Sequence, residues 1–261
     1  MAAMEIPVHL EPYLAVESCK DFPIARYYVS AQLEIIISEI IRMKKLKRKM
    51  NDLKLPYLNA TLMHGVPGTG KTTCGRYLAY YFDIPFVYVN FAKMFNGVFG
   101  KTSGLISDIF RLIAEKECIF MLDEIDCISQ KRGTEGMATG GEISRITVTL
   151  MQELDLLRKK DMKCILVGAT NRRDIMDDAL LGRFSLPIEI RPLNNAEKEE
   201  YIVKFLKDVG VMYDIGNIKE YCARNNTIRQ RGIEADMIRG ITRWLENGER
   251  DFYLEHIRES K

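Results

Sequence analysis

One tryptophan, three histidines and eight prolines among 261 residues make this chain poor in several residue types. The histidines are scattered, so they give no metal site. Six cysteines (Cys19, Cys74, Cys118, Cys127, Cys164 and Cys222) lack the paired spacing of metal ligands. Four of them fall in or beside apolar strand and helix candidates, which predicts reduced, buried thiols in a cytoplasmic protein. No apolar run reaches the roughly 18 residues of a membrane-spanning helix, so no membrane association is expected. Residues 1–15 lack a basic leader and are broken by Glu5, Pro7 and Glu11, which argues against a secretory signal. Repeats and low-complexity stretches are absent. A net charge of +2 argues against a protein that wraps a polyanion.

What remains is the composition of a globular protein, 47% apolar and 28% charged. The length suits one large domain with a smaller one. Residues 65–72 read Gly65-Val66-Pro67-Gly68-Thr69-Gly70-Lys71-Thr72, the pattern G-x-x-x-x-G-K-[ST]. Glycines at those places let successive backbone N–H groups turn inward around a polyphosphate. Lys71 can reach the outer phosphates as a point charge, and the Thr72 hydroxyl can hold Mg²⁺. Residues 60–64 read as a buried strand before the loop. Residues 72–82 read as a helix after it, with its positive dipole end toward the phosphates. His64 is expected to be a packed strand residue.

Cys118-Ile119-Phe120-Met121-Leu122 predicts a strand buried on both faces of a parallel sheet. It runs into Asp123-Glu124 at the carboxyl end, where open α/β sheets bind ligands. One carboxylate there can orient the water shell of Mg²⁺, and the other can accept a proton from a water attacking the γ-phosphate. A third strand, 164–169, ends in Thr170-Asn171, whose amide can orient that water. A further segment, Asp177 to Phe184, precedes a predicted edge strand around residues 187–190.

This series resembles the AAA+ ATPases, and within them the AAA clade of protein-remodelling hexamers, over roughly residues 55–245. The matching parts are Walker A (Gly65–Thr72), Walker B (Ile119–Glu124, continuing as Ile125-Asp126), sensor 1 (Asn171) and an arginine-finger segment (Leu180–Phe184). Gly141 to Asp155 also resembles the helix between Walker B and sensor 1. The resemblance implies an α/β fold: an αβα P-loop domain with a parallel sheet at 56–193, then a small helical lid at 194–261. Residues 1–55 form an N-terminal segment. It implies ATP/ADP and Mg²⁺ as ligands and a ring, usually of six copies. Gly65, Pro67, Gly68, Thr69, Gly70, Lys71, Thr72 and Thr73 would contact nucleotide, and Thr72 and Asp123 the metal. Glu124, Asn171 and Arg183 would be catalytic, with Arg183 serving the neighbour's γ-phosphate.

The chain departs from the family pattern in three places. Gly182 stands where a second finger arginine is common, leaving Arg183 alone. The lid motif reads Ile233-Glu234-Ala235-Asp236, with Glu234 in a glycine place. Near the pore, Val98-Phe99-Gly100 exchanges the usual order of aromatic and aliphatic residues, with Phe95 nearby. Phe99 then either grips an unfolded polypeptide or packs beneath its loop. The 55 residues before the first strand are too few for a separate recognition domain, which directs recognition to the pore, the N-terminus or an adaptor.

Residues 28–51 predict an amphipathic helix, apolar at Leu33, Ile36, Ile37, Ile40, Ile41, Met43 and Leu46. Arg42, Lys44, Lys45, Lys47, Arg48 and Lys49 crowd its later half. They form either a patch for nucleic acid, acidic lipid or an acidic partner, or a solvated face. Residues 129–141 predict a glycine-bearing loop. Helices are expected at 196–209, 218–224, 233–246 and 252–259, with Trp244 in their core. Three functions stay open: ATP-driven remodelling of a protein, a nucleic-acid loader or helper, and a slow ATP-dependent switch.

Overall fold

Uninterrupted apolar runs become the centre of one sheet because β-branched and aromatic side chains fit a pleated surface covered on both faces. A computed structural model of the chain describes residues 6–55, 58–91, 94, 102–128, 137–159, 163–248 and 252–255. The strands are β1 (Leu14–Glu17), β2 (Ala60–His64), β3 (Phe86–Asn90), β4 (Ile119–Asp123), β5 (Ile165–Thr170) and β6 (Leu186–Glu189). They lie in the order β1-β3-β4-β5-β2-β6. All neighbours pair parallel except β1, which runs antiparallel to β3. The expected α/β fold with a parallel sheet is therefore present. β1 and β3 are additions to the strands expected from sequence, and β1 is the one antiparallel member.

The order sets where the candidate site residues lie. β5 is inserted between β2, which leads into the phosphate loop, and β4, which ends in the acid pair. Asn171, directly after β5, is thereby carried to the sheet end between them. β6 closes the opposite edge and contains Pro187, which donates no ladder hydrogen bond and is tolerated on an edge strand.

Among the described residues the sheet is accompanied by α1 (Ala31–Asp52), α2 (Lys71–Phe82), α3 (Thr102–Ile113), α4 (Met137–Lys159) and the short α5 (Asp178–Leu181). Leu33, Ile36, Ile37, Ile40 and Met43 form the buried stripe of α1. α2 lies close to the sheet because Gly75 has no side chain. A Cβ there would sit 2.6 Å from Met121 Sδ and 3.0 Å from Phe86 Cε2. α3 buries Ile106, Ile109, Phe110 and Ile113, and Phe110 meets Phe120 of β4 edge-on at 5.3 Å.

The chain divides into two compact units. The first comprises Met1–Phe22, Gln32–Gly65 and Lys71–Glu189; the second comprises Pro23–Ala31, Val66–Gly70 and Ile190–Lys261. Within the second, α6 (Asn195–Val209), α7 (Ile215–Arg224) and α8 (Gln230–Glu246) enclose Ile202, Phe205, Leu206, Ile218, Tyr221, Ile233 and Met237. Asn194 and Glu197 form a capping box on α6, and Gly210 ends it at φ 78°. Trp244 packs against this cluster, as expected. Fully buried Lys198 is satisfied by the Asn225 and Asn226 carbonyls at 3.0 and 2.8 Å and by Asn195 Oδ1 at 3.3 Å.

The helix expected at 252–259 is corrected over its described part. Residues 252–255 are not helical. Phe252 and Leu254 are buried and Tyr253 is exposed, an alternation of period two. Leu254 N–H donates to Asn217 Oδ1 at 2.9 Å, and a Cβ on Gly240 would meet Phe252 Cε2 at 2.9 Å.

Candidate functional site

The phosphate loop follows β2 directly. Gly68 and Gly70 have φ of 79° and 83°, backbone conformations that glycine takes without a steric penalty. Lys71 opens α2 and is only 7% exposed, with its Nζ donating to the Gly65 carbonyl at 2.8 Å. Thr69 is buried and donates to the Val66 carbonyl at 3.1 Å. Thr72 Oγ1 donates to Asp123 Oδ2 at 2.9 Å, a contact across 51 residues of sequence. Thr73 stands half-buried in the first turn of α2. Within the second unit, the Pro67 carbonyl accepts from Arg229 Nη1 at 3.0 Å and the Gly68 carbonyl from the Arg231 N–H at 3.2 Å. Those two carbonyls thus hydrogen-bond to residues at the start of α8. Neither arginine was expected from sequence, where no local motif marks them.

Asp123 closes β4. Its Oδ1 accepts the Glu124 N–H at 2.9 Å while its Oδ2 faces Thr72. Glu124 has φ of 52°, a left-handed conformation for a residue with a side chain, and it is exposed. Such a conformation costs on the order of 1–3 kcal/mol and persists where its surroundings over-determine it. The Glu124 carboxylate has no hydrogen-bond partner among the described residues.

Asp126 organises the end of β5. Its Oδ1 accepts from Thr170 Oγ1 at 2.8 Å and from the Asn171 N–H at 3.4 Å. Thr170 Oγ1 in turn accepts the Arg172 N–H at 2.9 Å. The backbone of Asn171 is thus held, while its side-chain amide has no partner among the described residues. Asp126 lies three residues after Asp123, in the Ile125-Asp126 continuation of the acid-bearing segment, and nothing local in the sequence signals its hold on Thr170 and Asn171.

Arg183 follows α5, which Asp177 caps by accepting from the Ala179 and Leu180 N–H groups. Its guanidinium forms a two-pronged pair with Asp155 of α4, Nε–Oδ1 3.1 Å and Nη2–Oδ2 2.8 Å. Nη1 donates to the Ala179 carbonyl at 2.6 Å. The expected finger arginine is therefore engaged within its own chain. Phe184 beside it packs on Gly168, whose Cβ would lie 2.7 Å from Phe184 Cε1.

His64 ends β2 half-buried, with Nε2 3.0 Å from Arg173 Nη1. On α1, Arg42 is paired with Glu39. Lys44 Nζ lies 3.9 Å from Glu117 and 5.3 Å from the Phe82 ring centre. All six cysteines are free thiols. Burial pushes the Cys164 thiol up to about 12 and raises Cys118 as well. Among the described residues no group of three or more His, Cys, Asp or Glu is placed to hold a metal, and no helix is long and apolar enough to cross a membrane. Phe99, with Phe95, Val98 and Gly100, lies outside the described residues, as do residues 129–136 of the predicted loop, whose remaining residues 137–141 are corrected to the start of α4.

Comparison with known proteins bears on this arrangement. Residues 61–192 match the ATPase family associated with various cellular activities (AAA), half of the chain. The peroxisomal ATPase PEX6 of Candida glabrata is 34% identical over 148 residues, 56% of this chain and 14% of that protein. A 26S proteasome regulatory subunit 8 homolog of Encephalitozoon cuniculi is 29% identical over 205 residues, 76% of this chain and 52% of that one. A proteasome-activating nucleotidase of Methanococcus maripaludis is 41% identical over 135 residues, 49% of this chain and 32% of that one. The chain spans only 14–17% of the length of the peroxisomal relatives. The matched segment contains the phosphate loop, Asp123-Glu124, Asn171 and Arg183, and the chain belongs to the ATPase family associated with various cellular activities.

Proposed function

We propose that this chain binds ATP with Mg²⁺, hydrolyses the γ-phosphate, and does so in a ring of like subunits that acts on a polypeptide. The observation that carries the reading is the 2.9 Å contact between Thr72 Oγ1 and Asp123 Oδ2. It joins the end of the phosphate loop to the end of the acid-bearing strand. A hydroxyl and one carboxylate suit Mg²⁺, which keeps several waters and takes few protein ligands beside substrate phosphates. Thr72 and Asp123 would hold the ion, which would offset the negative charge developing on the phosphate.

The remaining roles belong to the chain's own groups. Gly65, Pro67, Gly68, Thr69 and Gly70 present backbone to the phosphates, with Thr73 in the next turn. The Lys71 ammonium, now on the Gly65 carbonyl, transfers to a phosphate oxygen. Glu124 accepts the proton of the attacking water at its carboxylate, and the Asn171 amide orients that water. Arg183 serves the γ-phosphate of a neighbouring copy after leaving Asp155. The Asp155 pair thus holds the cation in place until a more highly charged partner arrives. Relatives named as a proteasome-activating nucleotidase and a 26S proteasome regulatory subunit support a polypeptide substrate. The engagement of Arg42 and Lys44 within the chain weakens the nucleic-acid alternative.

ATP turnover measured with and without unfolded polypeptide, single-stranded DNA and RNA, alongside light scattering with and without ATP, tests this reading. The expected result is ATP-promoted assembly and stimulation by polypeptide alone, both lost in Lys71→Ala. Stimulation by nucleic acid only, or full turnover by a monomer at every concentration, would overturn it.

A further inference from the structure

We propose that His64 and Arg173 form a strut that positions Asn171 beside the root of the phosphate loop, and that the strut holds only while His64 is neutral. The inference rests on the hydrolytic role proposed for Asn171. It starts from register. His64, last in β2, lies opposite Thr170, last in β5. Each strand then leaves the sheet into a functional segment, Gly65 onward from one and Asn171 onward from the other. Three residues beyond Thr170 the chain turns back, and Arg173 Nη1 reaches His64 Nε2 at 3.0 Å. On the opposite flank Asp126 holds Thr170 Oγ1 and the Asn171 N–H. The turn bearing Asn171 is pinned at both ends, by a carboxylate on the acid side and an imidazole on the phosphate-loop side.

The chemistry of the pair fixes its protonation. A guanidinium can only donate, so His64 Nε2 must accept and the ring proton must sit on Nδ1. Protonating His64 would set N–H against N–H and break the bond. Three charged groups bear on the ring: Arg173 itself, Lys71 at the start of α2, and Glu189 on β6. Burial first, then Arg173 and Lys71, hold the imidazole below its ordinary 6.5 against the opposing pull of Glu189. At neutral pH the strut is closed. As pH falls through the titration of His64, it opens.

Arg173 and His64 touch no phosphate in this account; they are positioning residues, so their loss should appear in kcat rather than in KM for ATP. His64→Leu and Arg173→Ala should each lower kcat about ten- to a hundredfold, the scale of a reacting group displaced by about 1 Å. KM should stay within about twofold, and the double variant should be no worse than either single one. His64→Gln offers an acceptor that does not titrate. It should keep near-wild-type kcat at neutral pH and lose the fall that wild type shows below the ordinary imidazole value of 6.5. Additive losses, or an unchanged acid limb in His64→Gln, would overturn the strut.

A second readout separates this inference from the hydrolytic reading. With three histidines in the chain, the His64 ring can be assigned by substitution and titrated by NMR in nucleotide-free protein. Arg173→Ala should move its midpoint upward. An unmoved midpoint refutes the strut whatever the turnover. A moved midpoint in a protein that hydrolyses no ATP leaves the contact standing but sinks the role assigned to it.

Discussion

Adding one methyl group at Gly168 tests how the sheet holds the segment around Phe184. Gly168 lies in β5, and its ordinary strand backbone would accept alanine. The obstacle is space: the new Cβ would meet Phe184 Cε1 at 2.7 Å, Phe184 Cζ at 2.9 Å and Leu62 Cδ1 at 3.1 Å. Ordinary contact begins near 3.4 Å, so the Phe184 ring must retreat by about 0.7 Å. Phe184 is 5% exposed and Leu62 fully buried, so neither side chain can swing into solvent. Overpacking of this kind costs about 1–3 kcal/mol. At about 2–4 °C per kcal/mol for a chain of this size, Gly168→Ala should lower Tm by roughly 2–12 °C. Calorimetry or thermal circular dichroism would measure it. Because Phe184 adjoins Arg183, ATP turnover at a temperature well below Tm should fall as well. Phe184→Leu combined with Gly168→Ala should recover part of the stability by making room. An unchanged Tm in Gly168→Ala would refute this packing.

Three further outcomes follow from particular contacts. Asp155→Asn removes the charge that holds Arg183, so it should free the guanidinium for the role proposed for it and change the dependence of turnover on protein concentration; identical concentration curves would remove Asp155 from the mechanism. The thiols of Cys118 and Cys164 are buried and raised, so at pH 8 an alkylating reagent should label them in denatured protein and leave them unlabelled in native protein. Cys164 binds its proton more tightly folded than unfolded, at about 12 against an ordinary 9.0. Its contribution is therefore complete below pH 9, and global stability should decline as pH climbs above that value.

The parts of the candidate site legible in the sequence were those whose residues are contiguous. A phosphate loop needs its glycines, lysine and hydroxyl within eight residues, and an acid pair at a strand end announces itself by the apolar run before it. β2, β4, β5 and β6 were legible for the same reason. β1 was not, because Leu14–Glu17 is four residues long and is a strand only through its pairing with β3. The contacts that hold the site in place were also hidden. Asp155 and Arg183 are 28 residues apart, and Arg229 and Pro67 are 162 apart. Nothing local to either residue signals the other. Residues 252–259 misled for a physical reason: isolated apolar residues fit helix or strand periods equally in so short a window. The burial of Phe252 and Leu254 around Gly240 decides for an extended segment.

Glu124, set in its left-handed turn beside Asp123, is proposed as the base for hydrolysis. Its most direct test is Glu124→Gln, with ATP binding and steady-state hydrolysis measured on the same preparation. The account predicts retained ATP affinity with turnover lowered roughly 10²-fold or more, the scale of a lost general base. Wild-type turnover in Glu124→Gln would contradict it.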